Sequence, residues 1–186
     1  MARVRGIYKP SDHPRYSEET ARSGLDDLFR HMFPQSRMPE ISQKHGGFAI
    51  VAQDPKLALH LVKLSDYIVR EMAWTSQRRD LRELAIQTLN YHFKCDYSFR
   101  SHVETARGCG ISAELQAAIP YWRTTELFNE EQRLVIEYTL AVVCGDVSDE
   151  LFSRVLMKYG ETEAVQFTAG IGWWSLWAMI INATRP

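Results

Sequence analysis

Apolar residues recur at steps of three and four along most of the chain, and polar residues fill the positions between them. This spacing is typical of amphipathic α-helices, in which residues i, i+3, i+4 and i+7 lie on one face. Alternating β-branched runs bounded by Asn-Gly or Asp-Gly turns, which are typical of hairpins, do not occur in the sequence. The pattern therefore predicts an all-α fold, organised as a single compact helical domain.

The first strongly periodic segment is predicted to begin at Asp54, which precedes a proline and therefore suits a helix N-cap. Its apolar residues share one helix face: Leu57, Leu61, Leu64, Ile68 and Met72. A second helix is predicted from Leu81 to about Phe93. Its inward stripe consists of four residues: Leu84, Ala85, Thr88 and Leu89.

Further helix boundaries are predicted from capping residues downstream. Asn129 with Gln132 resembles a capping box, and Ser112 and Ser148 suit helix starts. Three glycines suit the position just after a helix: Gly110, Gly145 and Gly160. Residues 17–33 form a further amphipathic pattern. We expect residues 1–16 to form an N-terminal arm and residues 17–186 to form the helical domain.

The charge balance excludes one broad class of partner. Lys plus Arg number 22 and Asp plus Glu number 23, which gives a formal net charge of -1. We therefore expect no nucleic acid partner. The N-terminal segment lacks the apolar stretch of an export signal, and three scattered cysteines suit a reducing compartment, so we expect a cytoplasmic protein.

Residues 164–183 form an uncharged segment about as long as a membrane span. Polar residues interrupt it, and no basic cluster flanks either end. We therefore expect a buried or oligomer-facing terminal helix and no membrane association. Its tryptophans are candidates for core, interface or pocket wall: Trp173, Trp174 and Trp177.

The stretch Lys94 to His102 has the spacing of a catalytic surface. On a helix, Cys95, Ser98 and His102 fall within an arc of roughly 60°. Glu83 lies twelve residues before Cys95, near the start of the preceding predicted helix. If the two helices form an antiparallel hairpin, Glu83 approaches His102, and the carboxylate then fixes the tautomer of the imidazole.

Each of these residues also has an ordinary structural interpretation. Cys95 suits a small buried hydrophobic residue, Ser98 a solvated hydroxyl and His102 a surface histidine. The sequence has no H-E-x-x-H or Cys and His zinc pattern, and no glycine-rich phosphate loop. We therefore expect neither a metal nor a cofactor.

The unit "RELAIQTLNYHFKCDYSFRSHVETARGCGIS", residues 82–112, resembles the core motif of the carboxymuconolactone decarboxylase family, which includes the AhpD-type alkylhydroperoxidases. That motif has a Glu, a Cys twelve residues later and a His seven further on, which here are Glu83, Cys95 and His102. Ser98 stands where the peroxidase branch has its second Cys and where many decarboxylase-branch members have Glu. A dithiol cycle within the motif is therefore not available.

The resemblance implies an AhpD-like helical fold, assembly as trimers or hexamers, and pockets near subunit contacts. It implies a cofactor-free lyase acting by general acid-base catalysis on a small lactone or unsaturated organic acid, in aromatic-compound catabolism. Under that hypothesis His102 transfers a proton, and Glu83 orients the imidazole of His102. Cys95 and Ser98 form hydrogen bonds with the substrate. Two alternatives stay open: a peroxidase that uses the single thiol of Cys95, and a non-catalytic helical ligand-binding protein. The peroxidase needs a resolving thiol, and Cys109 is fourteen residues away in sequence.

Overall fold

The computed structural model describes residues 2–186 and confirms the predicted all-α fold. No β-strand occurs within these residues. The α-helices are, in chain order, α1 (Glu19–Met32), α2 (Gly46–Val51), α3 (Pro55–Arg70), α4 (Ala73–Gln77), α5 (Arg79–His92), α6 (Asp96–Gly108), α7 (Ala113–Ala118), α8 (Glu130–Cys144) and α9 (Asp149–Thr184). Short 3-10 turns lie at Pro10–Asp12, Gln43–His45 and Ile119–Tyr121.

The described chain divides into two compact units, and the first consists of residues 2–67 with Ile180–Pro186. Its N-terminal residues are held by backbone hydrogen bonds. The Ile7 amide donates to the carbonyl of Ala49 at 2.8 Å, and the Arg3 amide donates to that of Thr184 at 3.0 Å. Ile7 is fully buried. The predicted division into an arm over residues 1–16 and a domain over residues 17–186 stays a prediction, and residue 1 lies outside the described residues.

The second unit is Ile68–Met179, and helix α5 lies at its centre, packed against α6 and α8. Ten consecutive residues of α5, from Leu81 to Asn90, are buried. The predicted inward stripe of α5 is confirmed, because each of its four members is at most 1% exposed. A helix buried on nearly all sides must satisfy its polar side chains internally, and this requirement creates the site described below.

An aromatic cluster anchors the long C-terminal helix within this second unit. Trp74 stacks on Phe167 with ring centroids 3.8 Å apart, and Tyr159 meets both rings edge-on. The Trp74 amide donates to Gln166 Oε1 at 3.0 Å. Of the three tryptophans that were candidates for core, interface or pocket wall, Trp173 and Trp174 are buried, at 7% and 8% exposed.

The capping signals predicted from the sequence are present. Asn129 and Gln132 form a reciprocal capping box at the start of α8, and Gly145 follows that helix with a φ of 70°. The hydroxyl of Ser112 accepts from the amide of Leu115 at 3.1 Å. Gly160 has φ 73° and ψ 171° and breaks α9 where the sequence predicts a helix end.

Helix α3 departs from the sequence prediction in two respects. It ends at Arg70, so Met72 lies beyond it. The five residues predicted to share one face also differ in burial: Leu57 and Leu64 are 48% and 44% exposed, whereas Ile68 and Met72 are buried. The apolar stripe at the start of α3 therefore faces solvent in the single chain.

Helix α9 is long and apolar enough to cross a membrane by length and composition alone. Half of its most apolar window is buried inside the protein. Buried core helices share this composition with membrane spans, so the segment is weak evidence for a span.

Candidate active site

The first turns of α5 carry a buried ion pair between neighbouring residues. Arg82 donates from Nε and Nη2 to Glu83 Oε1 at 3.2 and 3.1 Å. Its Nη1 lies 3.4 Å from the carbonyl oxygens of Val69 and Thr75. Arg82 is 6% exposed and Glu83 2%. The guanidinium therefore holds one carboxylate oxygen in place and leaves the other available to a different partner.

That other partner is His102 on α6. Glu83 Oε2 lies 2.8 Å from His102 Nδ1, so the ring nitrogen donates its hydrogen to the carboxylate. The loop between α5 and α6 spans only residues 93–95, and Glu83 in the second turn of α5 meets His102 in the middle of α6. The two helices thus form the antiparallel hairpin that the sequence predicted.

The contact determines which nitrogen of His102 faces outward. Because Nδ1 bears the hydrogen that Glu83 accepts, neutral His102 has its lone pair on Nε2. Within residues 2–186, Nε2 has no hydrogen-bond partner, and the side chain of His102 is 33% exposed. The ring is therefore anchored on its buried side and open for proton exchange on the other.

Cys95 lies immediately before α6 as its N-cap residue and is fully buried. Burial raises the pKa of its thiol, and the backbone amide of Ser98 opposes that rise by a smaller amount. The neighbouring Asp96 carboxylate adds to the rise, and His102 is not among its causes. In this structure Cys95 therefore offers no exposed thiol surface for the predicted hydrogen bond to a substrate.

Ser98 occupies the first turn of α6, one turn before His102, and is 8% exposed. Its backbone carbonyl accepts a hydrogen bond from the hydroxyl of Ser101 at 2.9 Å. Of the predicted cluster, Glu83, Ser98 and His102 lie where α5 and α6 pack, and Cys95 is buried just before α6. Only His102 is substantially accessible.

A network of buried side-chain amides fixes α6 on α5. Gln87 Nε2 donates to Gln116 Oε1 at 2.8 Å and to the carbonyl of Phe99 at 3.2 Å. Gln116 Nε2 in turn donates to the carbonyl of Val103 at 3.2 Å, and Asn90 Nδ2 donates to Gln87 Oε1 at 3.1 Å. Such a network, when fully satisfied, holds packed helices in a single register.

The carbonyls that this network holds belong to the residues directly after Ser98 and His102. The network therefore positions the imidazole relative to Glu83. Neither Gln87 nor Gln116 is predicted as a site residue from the sequence. A signal exists for Gln87, because it directly precedes Thr88 and lies three residues after Leu84, both predicted to face inward.

Within the described part of the chain, no group of three His, Cys, Asp or Glu side chains lies close enough to hold a metal ion. The chemistry that the described residues offer is proton transfer by an imidazole with a buried carboxylate behind it. Comparisons of the chain with protein-family models, with curated proteins and with solved structures found no match.

Proposed function

We propose that this protein is a cofactor-free lyase that uses His102 as general acid-base on a small lactone or unsaturated organic acid. The proposal depends on one observation: the 2.8 Å contact between Glu83 Oε2 and His102 Nδ1, which leaves Nε2 accessible. A positioned imidazole supports proton transfer to or from carbon and contributes about 100- to 10,000-fold to such reactions. The resemblance of residues 82–112 to the carboxymuconolactone decarboxylase family suggests the substrate class.

In the proposed reaction, His102 Nε2 accepts a proton from a carbon next to the substrate's carbonyl, or returns one to it. The imidazolium that forms is stabilised by Glu83, whose charge is already fixed by Arg82. Arg82 and Glu83 are positioning residues, because their burial keeps them from touching a substrate. Decarboxylation, hydration and isomerisation all need this proton movement, and the proposal covers the three alike.

Ser98 is assigned a hydrogen bond to the substrate's carboxylate or enolate, since it precedes His102 by one helical turn on the same face. Cys95 is assigned a supporting role beneath that face, because its thiol has no exposed surface. A peroxidase reaction at Cys95 is disfavoured for the same reason, and because burial keeps the thiol protonated.

The proposal includes a cytoplasmic homo-oligomer, a trimer or hexamer. The exposed apolar residues at the start of α3 support self-association, since Leu57 and Leu64 lie two turns apart on one face. Light scattering coupled to size-exclusion chromatography tests the assembly. A monomeric mass at micromolar concentration would contradict it.

The test of the function compares wild type with His102→Gln and Glu83→Gln on a panel of unsaturated lactones and unsaturated diacids. Proton NMR in D2O follows both turnover and deuterium incorporation at carbon, so the readout does not depend on which reaction is catalysed. We expect both variants to lose about 100-fold or more in rate. Glu104→Gln removes an exposed carboxylate from α6, the helix that carries His102, and serves as the matched control.

Two outcomes would contradict the proposal. The first is turnover that persists undiminished in both the His102 and the Glu83 variants. The second is a wild-type protein that neither converts any compound of the panel nor exchanges its carbon-bound protons. Circular dichroism of each variant verifies that a loss of rate is not a loss of fold.

A further inference from the structure

A cavity lies at the opposite end of α5 from Glu83. Its volume is about 460 Å³, within the range of small-molecule sites. His92, which lines the cavity, lies nine positions after Glu83, which corresponds to roughly 13 Å along the helix axis. None of the proposed acid-base residues lines it. Whatever binds there therefore occupies a different site from a substrate at His102.

The lining of this cavity combines cationic and apolar groups. Its lining residues are Thr88, Tyr91, His92, Lys94, Ile119, Pro120, Trp122, Arg123 and Leu140. Lys94 and Arg123 supply two positive charges, and no carboxylate is among these residues. Neither cation has an ion-pair partner among residues 2–186. Acidic groups are not scarce in the chain, since Asp plus Glu number 23 and Lys plus Arg number 22.

Lys94 reaches this cavity through a backbone conformation that favours glycine. Its φ is 52°, at the position directly after the C-cap of α5. The turn is closed by backbone hydrogen bonds from Lys94 to Tyr91 and from Cys95 to Asn90. These bonds also satisfy carbonyls at the end of α5, which would otherwise repel an anion. A lysine here lines the cavity at a conformational cost that glycine avoids.

The second cation is held by an aromatic face. The guanidinium carbon of Arg123 lies 4.4 Å from the ring centroid of Trp122, a cation–π arrangement that limits its rotation. The backbone beneath it is fixed by Arg133. The guanidinium of Arg133 donates to the carbonyls of Trp122 and Thr125, and its Nε donates to that of Phe128 at 3.1 Å. The cavity wall is therefore preorganised, which lowers the entropic cost of binding.

We propose that this cavity binds a small organic carboxylate with a flat apolar body. Lys94 and Arg123 bind the carboxylate, since charge-assisted hydrogen bonds from ammonium and guanidinium groups are the strong ones. Ile119, Pro120 and Leu140 contact the apolar body. The inference goes beyond the proposed function, because it concerns a separate site with its own ligand.

The test uses benzoate as the probe, with benzyl alcohol and inorganic phosphate as the apolar and anionic controls. Amide and indole NMR signals are followed during each titration. We expect saturable shifts with benzoate at Tyr91, Lys94, Arg123 and the Trp122 indole. Benzoate binding should exceed that of either control by about 10-fold, since each control lacks one half of the recognition.

Variants separate this site from the proposed active site. Lys94→Gly suits the φ of 52° and should fold, and both it and Arg123→Gln should weaken benzoate binding by about 5-fold or more. Lys63→Gln removes an exposed lysine of α3 and should leave binding unchanged. His102→Gln should also bind benzoate normally, so a failure of the proposed catalysis would not affect this result.

Three outcomes would overturn the inference. The first is the absence of a saturable benzoate shift at these residues. The second is equal binding of benzoate and either control, which would reduce the site to a purely apolar or purely anionic one. The third is unchanged benzoate affinity in both Lys94→Gly and Arg123→Gln when their circular dichroism matches wild type.

Discussion

Glu83 Oε2 lies 2.8 Å from His102 Nδ1, and the two side chains differ sharply in exposure, at 2% and 33%. The contact joins a buried negative charge to an imidazole at the surface. A carboxylate shielded from water interacts more strongly with an imidazolium than an exposed one does. The geometry therefore favours proton transfer at the outer nitrogen of His102.

The first prediction concerns the buried pair beneath this contact. Glu83→Gln leaves the guanidinium of Arg82 buried without a charged partner. Removing one partner of a buried pair costs about 3–5 kcal/mol, so we expect the free energy of unfolding to fall by at least ~3 kcal/mol. Urea denaturation measures it. Glu104→Gln, whose carboxylate is 78% exposed, should change stability by less than about 0.5 kcal/mol.

A double-mutant cycle isolates the interaction itself. Arg82→Met combined with Glu83→Gln removes both charges, so neither is left uncompensated. We expect the double variant to lose at least ~1 kcal/mol less than the sum of the single variants. Strict additivity would show that Arg82 and Glu83 do not act as a pair.

The sequence predicted the Glu83 and His102 contact because short-range signals determine it. The spacing of residues fixes helix faces, and the short loop before α6 forces an antiparallel hairpin. The capping box at Asn129 and the helix end at Gly160 were predictable for the same reason, since each depends on a few neighbouring residues.

Features that depend on tertiary packing were not predictable in this way. The burial of Arg82 is one example, because its guanidinium lies near the carbonyls of Val69 and Thr75, which are outside α5. The exposure of Leu57 and Leu64 is also not predictable from the hydrophobic periodicity, since periodicity identifies an apolar face but not what covers that face. Lys94 occupies a φ of 52° where the sequence shows no glycine to signal a turn.

The second prediction concerns Cys95. Its burial and raised pKa keep the thiol protonated and inaccessible at neutral pH. Iodoacetamide should modify exposed Cys144 first and Cys95 at least ~100-fold more slowly, through local opening. Peptide mass spectrometry over time measures both rates. Because the pKa is raised, the rate of Cys95 modification should continue to increase with pH beyond the pKa of a free cysteine, where the rate for an ordinary thiol levels off.

The same residue tests the peroxidase alternative. Cys95→Ser should leave any consumption of hydrogen peroxide by the protein unchanged. Modification of Cys95 as fast as that of Cys144, or peroxide consumption that Cys95→Ser abolishes, would contradict the inert role given to this thiol.

The third prediction concerns alkaline pH. Burial raises the pKa of the Tyr159 phenol, and the Glu131 carboxylate, which accepts its hydrogen bond at 3.2 Å, raises it further. The unfolded chain ionises its tyrosines near pH 10, so the unfolded state loses this proton first. The contribution of Tyr159 to stability is therefore complete below about pH 10 and is lost as pH rises towards its folded pKa.

Absorbance at 295 nm and urea denaturation test this sign. Wild type should lose more stability between pH 9 and 11 than Tyr159→Phe, because the variant has no phenol at position 159 to ionise. Tyr121→Phe alters an exposed tyrosine and should retain the wild-type pH dependence. An equal loss of stability in wild type and Tyr159→Phe would be the contrary result.

The last prediction concerns the turn between α5 and α6. Lys94 has a φ of 52°, which brings Cβ close to the following carbonyl oxygen in an L-residue and costs about 1 kcal/mol. Lys94→Gly relieves that strain, and thermal and urea unfolding should show a gain of about 0.5–1 kcal/mol. Lys94→Ala removes the same charge but retains Cβ, so it should show no such gain. If Lys94→Gly were no more stable than Lys94→Ala, the turn would be unstrained. The conformational cost assigned to Lys94 at the cavity would then be absent.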